Sequence, residues 1–401
     1  MRQGDLEEIA KAELAVLASE DRLWKRHVVE GPATSWAVVD GRRELVLCSN
    51  DYLGLANNAE IKRESAQALE AYGVGTGAVR VIAGTMRLHV QLEEELARFK
   101  NAEAAITFQS GFATNFGVIP TIAGEGDLLV SDELNHGSII DGMRMSRAER
   151  KVYSHNDVDS LERVLKDSAA YRRVLVVTDA VFSMDGDLAP LPEIVKLARK
   201  HGAMTYVDDA HGEGVLGDLG RGAVNHFGLE GQVDVEMGTF SKAFGSVGGY
   251  VVGGGGFCEM LRNRVRPFLL SGSHPPAVAA ASLAAVRYVQ KHPELFERLW
   301  ENTRYFKRRL RESGFDTGRS ETPITPVMVG ESAKAQAMAD ELFRQGVFVI
   351  PIVFPMVPRG AARLRTIVGA SHTTEDLDFA VEKLTAAARV AGLKGVGGGG
   401  R

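Results

Sequence analysis

Short apolar runs of strand length recur through the middle of the chain: AAITF, DLLVS, RVLVVTD, MTYVDD and VDVEMG. Helical stretches such as SLERVLKD and LPEIVKLARKHG lie between some of them. Strands joined through helices pair in parallel, and their crossovers cover the sheet on both faces. The pattern predicts an α/β domain with a mostly parallel sheet. At 401 residues the chain exceeds what one core usually holds, so a second unit is expected. After Pro275 and Pro276 the texture changes. AVAAASLAAVRYVQ and ELFERLWENTRYFKRRLRESG read as long helices, and PITPVMVG, VFVIPIV and ARLRTIVG as strands. TTEDLDFAVEKLTAAARVAG reads as a closing helix. The expected organisation is an N-terminal helix and arm over 1–45 and a large domain over 46–285. A smaller α+β domain follows over 286–390, then a flexible tail over 391–401.

Composition removes several classes of function. A net charge of −5 gives no support for a nucleic-acid partner. No stretch approaches the roughly 18 apolar residues of a membrane span. The acidic, amphipathic start of the chain lacks the continuous apolar core of a signal peptide. The two cysteines, Cys48 and Cys258, suggest no disulfide framework and a cytoplasmic home, and no Cys/His spacing suggests zinc.

In an open parallel sheet, ligands gather at the carboxyl ends of the strands. TDAVFSMDGD follows RVLVV, VDDAHGEGVLG follows MTYV, and GTFSK follows VDVEM. Asp208, straight off a strand, can pair with a buried cationic nitrogen or simply cap a helix. His211, taken alone, reads as structural. Asp208, Asp209 and His211 lack the further ligand that a metal shell needs. Lys242 is isolated among small, uncharged residues in MGTFSKAFGSVGGYVVGG. Burial disfavours its ammonium form, and a neutral lysine can form a Schiff base. Thr239 and Ser241, with nearby backbone N–H groups, suit a phosphate. An amine for an aldehyde, hydroxyls for a phosphate and a carboxylate for a pyridine nitrogen together describe a pyridoxal 5'-phosphate site. GVGTGA at 73–78 formally fits a dinucleotide fingerprint but follows a helical stretch, not a strand. DGD at 185–187 reads as a turn.

From about residue 45 to 390 the chain resembles the α-oxoamine synthase family of fold-type I pyridoxal-phosphate enzymes. The resemblance rests on SNDYLGL, GTGAVRVIAGT, FQSGFATN, SDELNHGSIIDG, TDAVFSMDGD, VDDAHGEGVLG, GTFSKAFG, SGSHPPA and ARLRTIVGASHT, in that order. It implies the aspartate aminotransferase-like fold, a large α/β domain plus a smaller α+β one. It also implies a homodimer with shared active sites. Matched by motif, Lys242 is similar to the lysine that carries the cofactor, and His136 to the histidine stacked on its ring. Gly111 and Phe112 resemble the helix start that receives the phosphate, with Thr239 a second phosphate ligand. Ser183 and His211 resemble residues near the cofactor's phenolic oxygen, and Asp208 the partner of its ring nitrogen. Asn50 resembles a substrate-pocket residue and Arg365 the arginine that grips the amino acid carboxylate. Ser273 resembles a phosphate contact made to the neighbouring subunit.

Two positions depart from the family pattern. Gly272 stands where Thr or Asn is usual, and Gly369 replaces a bulkier residue, which would widen the substrate pocket. The resemblance implies an acyltransferase that condenses an amino acid with an acyl-CoA. The motifs favour glycine with acetyl-CoA or another short acyl-CoA, a glycine C-acetyltransferase-like reaction. The alternative is alanine with pimeloyl-CoA in biotin synthesis, or less readily a serine palmitoyltransferase-like reaction. An aminotransferase of the same fold would need no CoA, and a non-catalytic regulatory subunit of the family would lack the lysine.

Overall fold

The computed structural model describes residues 6–20, 22–393 and 395–396. Part of the expected flexible tail, 394 and 397–401, lies outside the described residues, as do residues 1–5 of the N-terminal arm. The large domain is built on a seven-stranded sheet. In chain order its strands are β1 (Ala104–Phe108), β2 (Leu128–Asp132), β3 (Glu149–Tyr153), β4 (Val174–Asp179), β5 (Met204–Asp208), β6 (Val235–Thr239) and β7 (Gly249–Gly253). In space the order is β1-β7-β6-β5-β4-β2-β3. Only β7 runs antiparallel to its neighbours, so the sheet is mixed but mostly parallel. Successive residues of β4 bury themselves alternately on two sides. Val174 and Val176 join one apolar cluster, and Leu175 and Val177 the other. That two-sided burial is why the central strands read as continuous apolar runs. β3 is the exception. As the outer strand it is ERKVY, largely exposed, and nothing apolar marks it in the sequence.

The C-terminal unit carries a three-stranded antiparallel sheet of β8 (Ile324–Gly330), β9 (Ile350–Ile352) and β10 (Ala362–Ile367), in the order β8-β10-β9. The run VFVIPIV, which reads as one strand, is divided. Val347–Phe348 pairs in parallel with Leu45 and Val46 of a four-stranded N-terminal sheet, and Ile350–Ile352 joins β10. The expected N-terminal arm contains the short antiparallel strands Val29–Glu30, Trp36–Val39 and the start of Arg42–Val46. Ile367 N donates to Leu47 O at 2.7 Å and Ala370 N to Tyr52 O at 2.7 Å, which brings residues 47–52 alongside the end of β10. Among the described residues, no helix is long and apolar enough to cross a membrane.

One close approach sets the geometry at the strand ends. The helix Gly111–Ile122 begins directly over β7. A Cβ on Gly249 would stand 2.4 Å from Thr114 Oγ1 and 2.7 Å from both N and Cα of Gly111. No real Cβ is found so close to backbone, so the helix start can seat here only above glycine. Gly249→Ala is therefore expected to destabilise the fold by about 1–3 kcal/mol, the usual cost of overpacking. Urea unfolding of the purified variant checks this, and a wild-type midpoint would mean that the helix start yields freely.

Candidate active site

The sheet register aligns chemistry that is scattered in the sequence. Asp179 pairs with Asp208, and Asp208 with Met237, so β4, β5 and β6 end nearly level. Above these ends lies a cavity of about 290 Å³. Gly111, Phe112, His136, Ser183, Asp208, His211, Thr239 and Lys242, all expected site residues, line it. Ser241, read from the sequence as a phosphate-binding hydroxyl, lines it as well, as do Asn115, Ser138 and Asp179, to which the sequence reading gave no site role.

One end of the cavity is suited to an anion. Ser110 caps the helix Gly111–Ile122, its Oγ accepting from Ala113 N at 3.1 Å. The amides of Gly111 and Phe112 belong to the first turn and have no partner within the helix. Gly111 leaves room beside Thr239: a Cβ there would lie 3.1 Å from Met237 Cε and 3.4 Å from Thr239 Oγ1. Thr239 Oγ1 donates to Gly248 O at 2.7 Å and meets Ser241 Oγ at 2.8 Å. A hydroxyl has one proton, so with that of Thr239 on Gly248 O the Ser241 hydroxyl donates to Thr239 Oγ1, and each must turn from its partner to donate toward the cavity.

Asp208 is held rigidly and remains reachable. Asn115 Nδ2 donates to Asp208 Oδ2 at 2.6 Å, and Ala210 N to Oδ1 at 3.0 Å. Asn115 is fixed in turn by Tyr206, whose hydroxyl donates to Asn115 Oδ1 at 2.7 Å. Its Nδ2 also reaches Ser138 Oγ at 2.9 Å, and Ser138 Oγ lies 2.7 Å from His136 Nδ1. A continuous hydrogen-bonded chain therefore links Asp208 to His136. His136 caps the helix Gly137–Met145, and its main-chain N–H donates to Asp179 Oδ2 at 2.8 Å. Asn115 was within reach of sequence reading, since it closes the FQSGFATN motif one helical turn beyond Gly111.

Burial controls the charges. It lowers the Lys242 ammonium, against the raising effect of Asp208 and Asp179 and with further lowering by Arg365. Burial also raises Asp179 well above the usual carboxylate range, with the neighbouring Asp208 charge adding to the effect. His211 is pushed well below the usual histidine range by burial and by Lys242, Arg365 and His136. It is held as a neutral ring, its Nδ1 sharing a 2.8 Å hydrogen bond with the Tyr52 hydroxyl. Beneath the anion end lies a second buried group of charges. Lys100 Nζ faces Asp209 at 3.7 Å, Glu213 at 3.6 Å and Glu236 in a still shorter contact. Glu213 Oε2 accepts from Thr239 N at 2.9 Å, so this cluster fixes the backbone that presents Thr239.

Arg365 stands beside the cavity on β10. Its Nε donates to Ser183 O, and Nη1 and Nη2 approach Asn50 Oδ1 at 3.4 and 3.3 Å. Asn50 and Arg365 thus lie together, next to Ser183. Ser273 is not among the lining residues. Its Oγ donates to Ala78 O at 3.3 Å, away from the cavity. Gly369 does not widen a pocket. A Cβ there would point at Tyr52 O and Asp51 O, 3.2 and 3.3 Å away, so glycine serves backbone packing.

An amine with a depressed pKa, an anion seat at a helix start and an anchored carboxylate at level strand ends fit the aldehyde, phosphate and ring nitrogen of pyridoxal phosphate. The fold and site define a fold-type I pyridoxal-phosphate transferase. The chain belongs to the aminotransferase class I and II family, whose model matches residues 42–384, and within it to the α-oxoamine synthases. It is a pyridoxal-phosphate-dependent acyl-CoA:amino acid C-acyltransferase. It is 58% identical over 366 residues to 8-amino-7-oxononanoate synthase of Symbiobacterium thermophilum, covering 91% of this chain and 93% of that one. A solved structure of serine palmitoyltransferase with pyridoxal phosphate matches at a TM-score of 0.93 and 34% identity. That match covers 97% of this chain and 100% of the other. The 8-amino-7-oxononanoate synthase of Francisella tularensis matches at a TM-score of 0.75 and 25% identity, over 86% of this chain and 98% of that one. The expectation of glycine with acetyl-CoA is not supported. The relatives at 50–58% identity are 8-amino-7-oxononanoate synthases, which favours the alternative.

Proposed function

We propose that this enzyme condenses L-alanine with pimeloyl-CoA to give 8-amino-7-oxononanoate, CoA and carbon dioxide. The observation that carries the reading is the identity of 50–58% to 8-amino-7-oxononanoate synthases along nearly the whole chain. The atoms balance. Seven acyl carbons plus the α-carbon and methyl of alanine make nine, with the amine at C8 and the ketone at C7. The alanine carboxylate leaves as carbon dioxide and the thiol as CoA.

Pyridoxal phosphate, when bound, supplies the aldehyde that takes up the amino acid and the ring that accepts its electron pair. The chain's own residues would do the rest. The Gly111 and Phe112 amides with Thr239 and Ser241 seat the phosphate. Asp208, anchored by Asn115, keeps a proton on the ring nitrogen. His136 would pack on the ring, and Ser183 and His211 would flank its oxygen. The Arg365 Nη edge takes the alanine carboxylate in a bidentate pair, with Asn50 beside it. The Lys242 amine, its ammonium disfavoured by burial, removes the alanine Cα proton.

Measured by CoA release, L-alanine with pimeloyl-CoA should exceed glycine with acetyl-CoA in kcat/KM by about 100-fold or more, because the site's binding energy is spent on the longer acyl chain. The reverse ranking would overturn the substrate reading. For the residue roles, borohydride reduction of the holoenzyme should fix the cofactor to the Lys242 peptide. Asp208→Asn should lower kcat by about 10²-fold or more while the fold stays intact by circular dichroism. Label on another lysine, or near-wild-type turnover of Asp208→Asn, would refute the assignments.

A homodimer with shared sites is part of the same reading. Val74, Val81, Ile82 and Leu270 are exposed on and beside the loop that bridges Val79 to Gly272, next to Ser273. An apolar patch of this kind suits a subunit interface. A second copy would bring Ser273 to its neighbour's phosphate. Mixing Lys242→Ala with Ser273→Asp, each inactive alone, should restore part of the activity, because one site of the mixed dimer has both residues intact. Active monomers in sedimentation velocity would defeat this.

A further inference from the structure

The turn after β4, residues 183–187, joins the two halves of the site from both sides. Within the turn, Gly186 N donates to Phe182 O at 2.8 Å and Phe182 N to Asp187 O at 3.0 Å. On the large-domain side, His155 Nε2 and Asn156 Nδ2 lie 2.8 and 3.2 Å from Asp187 Oδ2. On the C-terminal side, Gly186 O accepts from Glu321 N at 3.0 Å and from Thr322 Oγ1 at 2.9 Å. Gly186 has a φ of +73°, and a Cβ there would lie 2.4 Å from Ile324 O, so the approach of the C-terminal unit is built into this residue.

Two arginines of β10 then reach the same turn. Arg363 and Arg365 are two apart on one strand, so they face the same way. Arg363 is almost fully buried, at 4% exposure. Its Nη1 makes an ion pair with Asp185 Oδ1 and donates to Met184 O at 3.3 Å, while its Nε donates to Ala361 O at 3.1 Å. Arg365 commits its Nε to Ser183 O. Among the described residues, its Nη1 and Nη2 hydrogen-bond only to Asn50, through long contacts. One guanidinium is locked by a carboxylate, and the next is aimed with its forked edge left for an anion.

We infer that Asp185 is a positioning residue for amino acid recognition. By pairing with buried Arg363 it fixes the register of β10 against the 183–187 turn, and so sets the pose of the Arg365 Nη edge. This rests on Arg365 taking the substrate carboxylate. Neutralising Asp185 leaves Arg363 buried without its counter-charge, and Arg363 relieves that by moving, which carries β10 and Arg365 with it.

The test compares binding of L-alanine with that of L-alaninamide, which lacks the carboxylate, by absorbance titration of the holoenzyme. Arg365→Ala, Asp185→Asn and Asp185→Glu are measured beside wild type, with cofactor content and circular dichroism checked for each. Asp185→Asn should weaken L-alanine about 10-fold and leave L-alaninamide within twofold, and Asp185→Glu should restore most of the loss. In turnover, KM for alanine should rise about 10-fold with kcat within threefold. Loss of alanine binding in Arg365→Ala but not in Asp185→Asn overturns this inference alone. An Arg365→Ala variant that loses both ligands equally, or neither, overturns the underlying reading. If Asp185→Asn loses both ligands equally, its role is structural and the inference falls. If Asp185→Asn does not fold, Arg363→Lys is read by the same criterion, because lysine keeps the charge but not the fork.

Discussion

The arrangement depends on holding one carboxylate fixed inside a largely apolar sheet. A buried carboxylate is costly unless hydrogen bonds satisfy it. Asp208 receives Asn115 Nδ2 at 2.6 Å and Ala210 N at 3.0 Å, and Lys242 shares its cavity. Its neighbour Asp179, level with it in the register, is raised well above the carboxylate range by burial and by Asp208 itself. The Asp208 charge also acts on Lys242 and His136, and through Asn115 and Ser138 it is tied to His136 by hydrogen bonds.

The same logic recurs one layer down. Lys100 is buried among Asp209, Glu213 and Glu236, more acids than one lysine can neutralise. Burial accordingly raises all three acids, which then retain protons more readily. Glu213 uses its second oxygen on Thr239 N, so the proton balance of this cluster bears on the loop that presents the anion seat. On the opposite side, the 183–187 turn ties β4 to the C-terminal sheet through Gly186, Asp185 and Ser183. The cavity is thus walled by the large domain, while its arginine is supplied by the smaller unit. Only a rigid connection between them can keep Arg365 within reach of the strand ends.

Much of this was legible in the sequence, for identifiable reasons. Lys242 could be singled out because a cation among small uncharged residues has no solvent-side explanation. The central strands were legible because burial on two faces leaves an unbroken apolar run. β3 was not, because an outer strand with one exposed face can be ERKVY. VFVIPIV could not reveal its division, since both parts are apolar and only the partners differ. Gly369 was read as pocket widening, yet its missing side chain makes room for the carbonyls of Asp51 and Tyr52. Ser273 resembles a phosphate ligand in sequence, but within one chain it turns to Ala78.

What the sequence by itself determined was the chemistry: an amine, an acid, hydroxyls and an arginine, each in a motif of fixed local spacing. Local spacing sets which groups stand at one strand end or helix start, because backbone geometry relates residues a few positions apart. The tertiary structure alone decided how those groups meet. Asp179, Asp208 and Met237 become level through inter-strand register, and Asn115 meets Asp208 across 93 residues of chain. The Asp185–Arg363 pair spans 178 residues. Contacts of this kind depend on packing between elements far apart in the chain. No local pattern encodes them, and the depressed basicity of Lys242 likewise arises only once the fold has excluded water from around it.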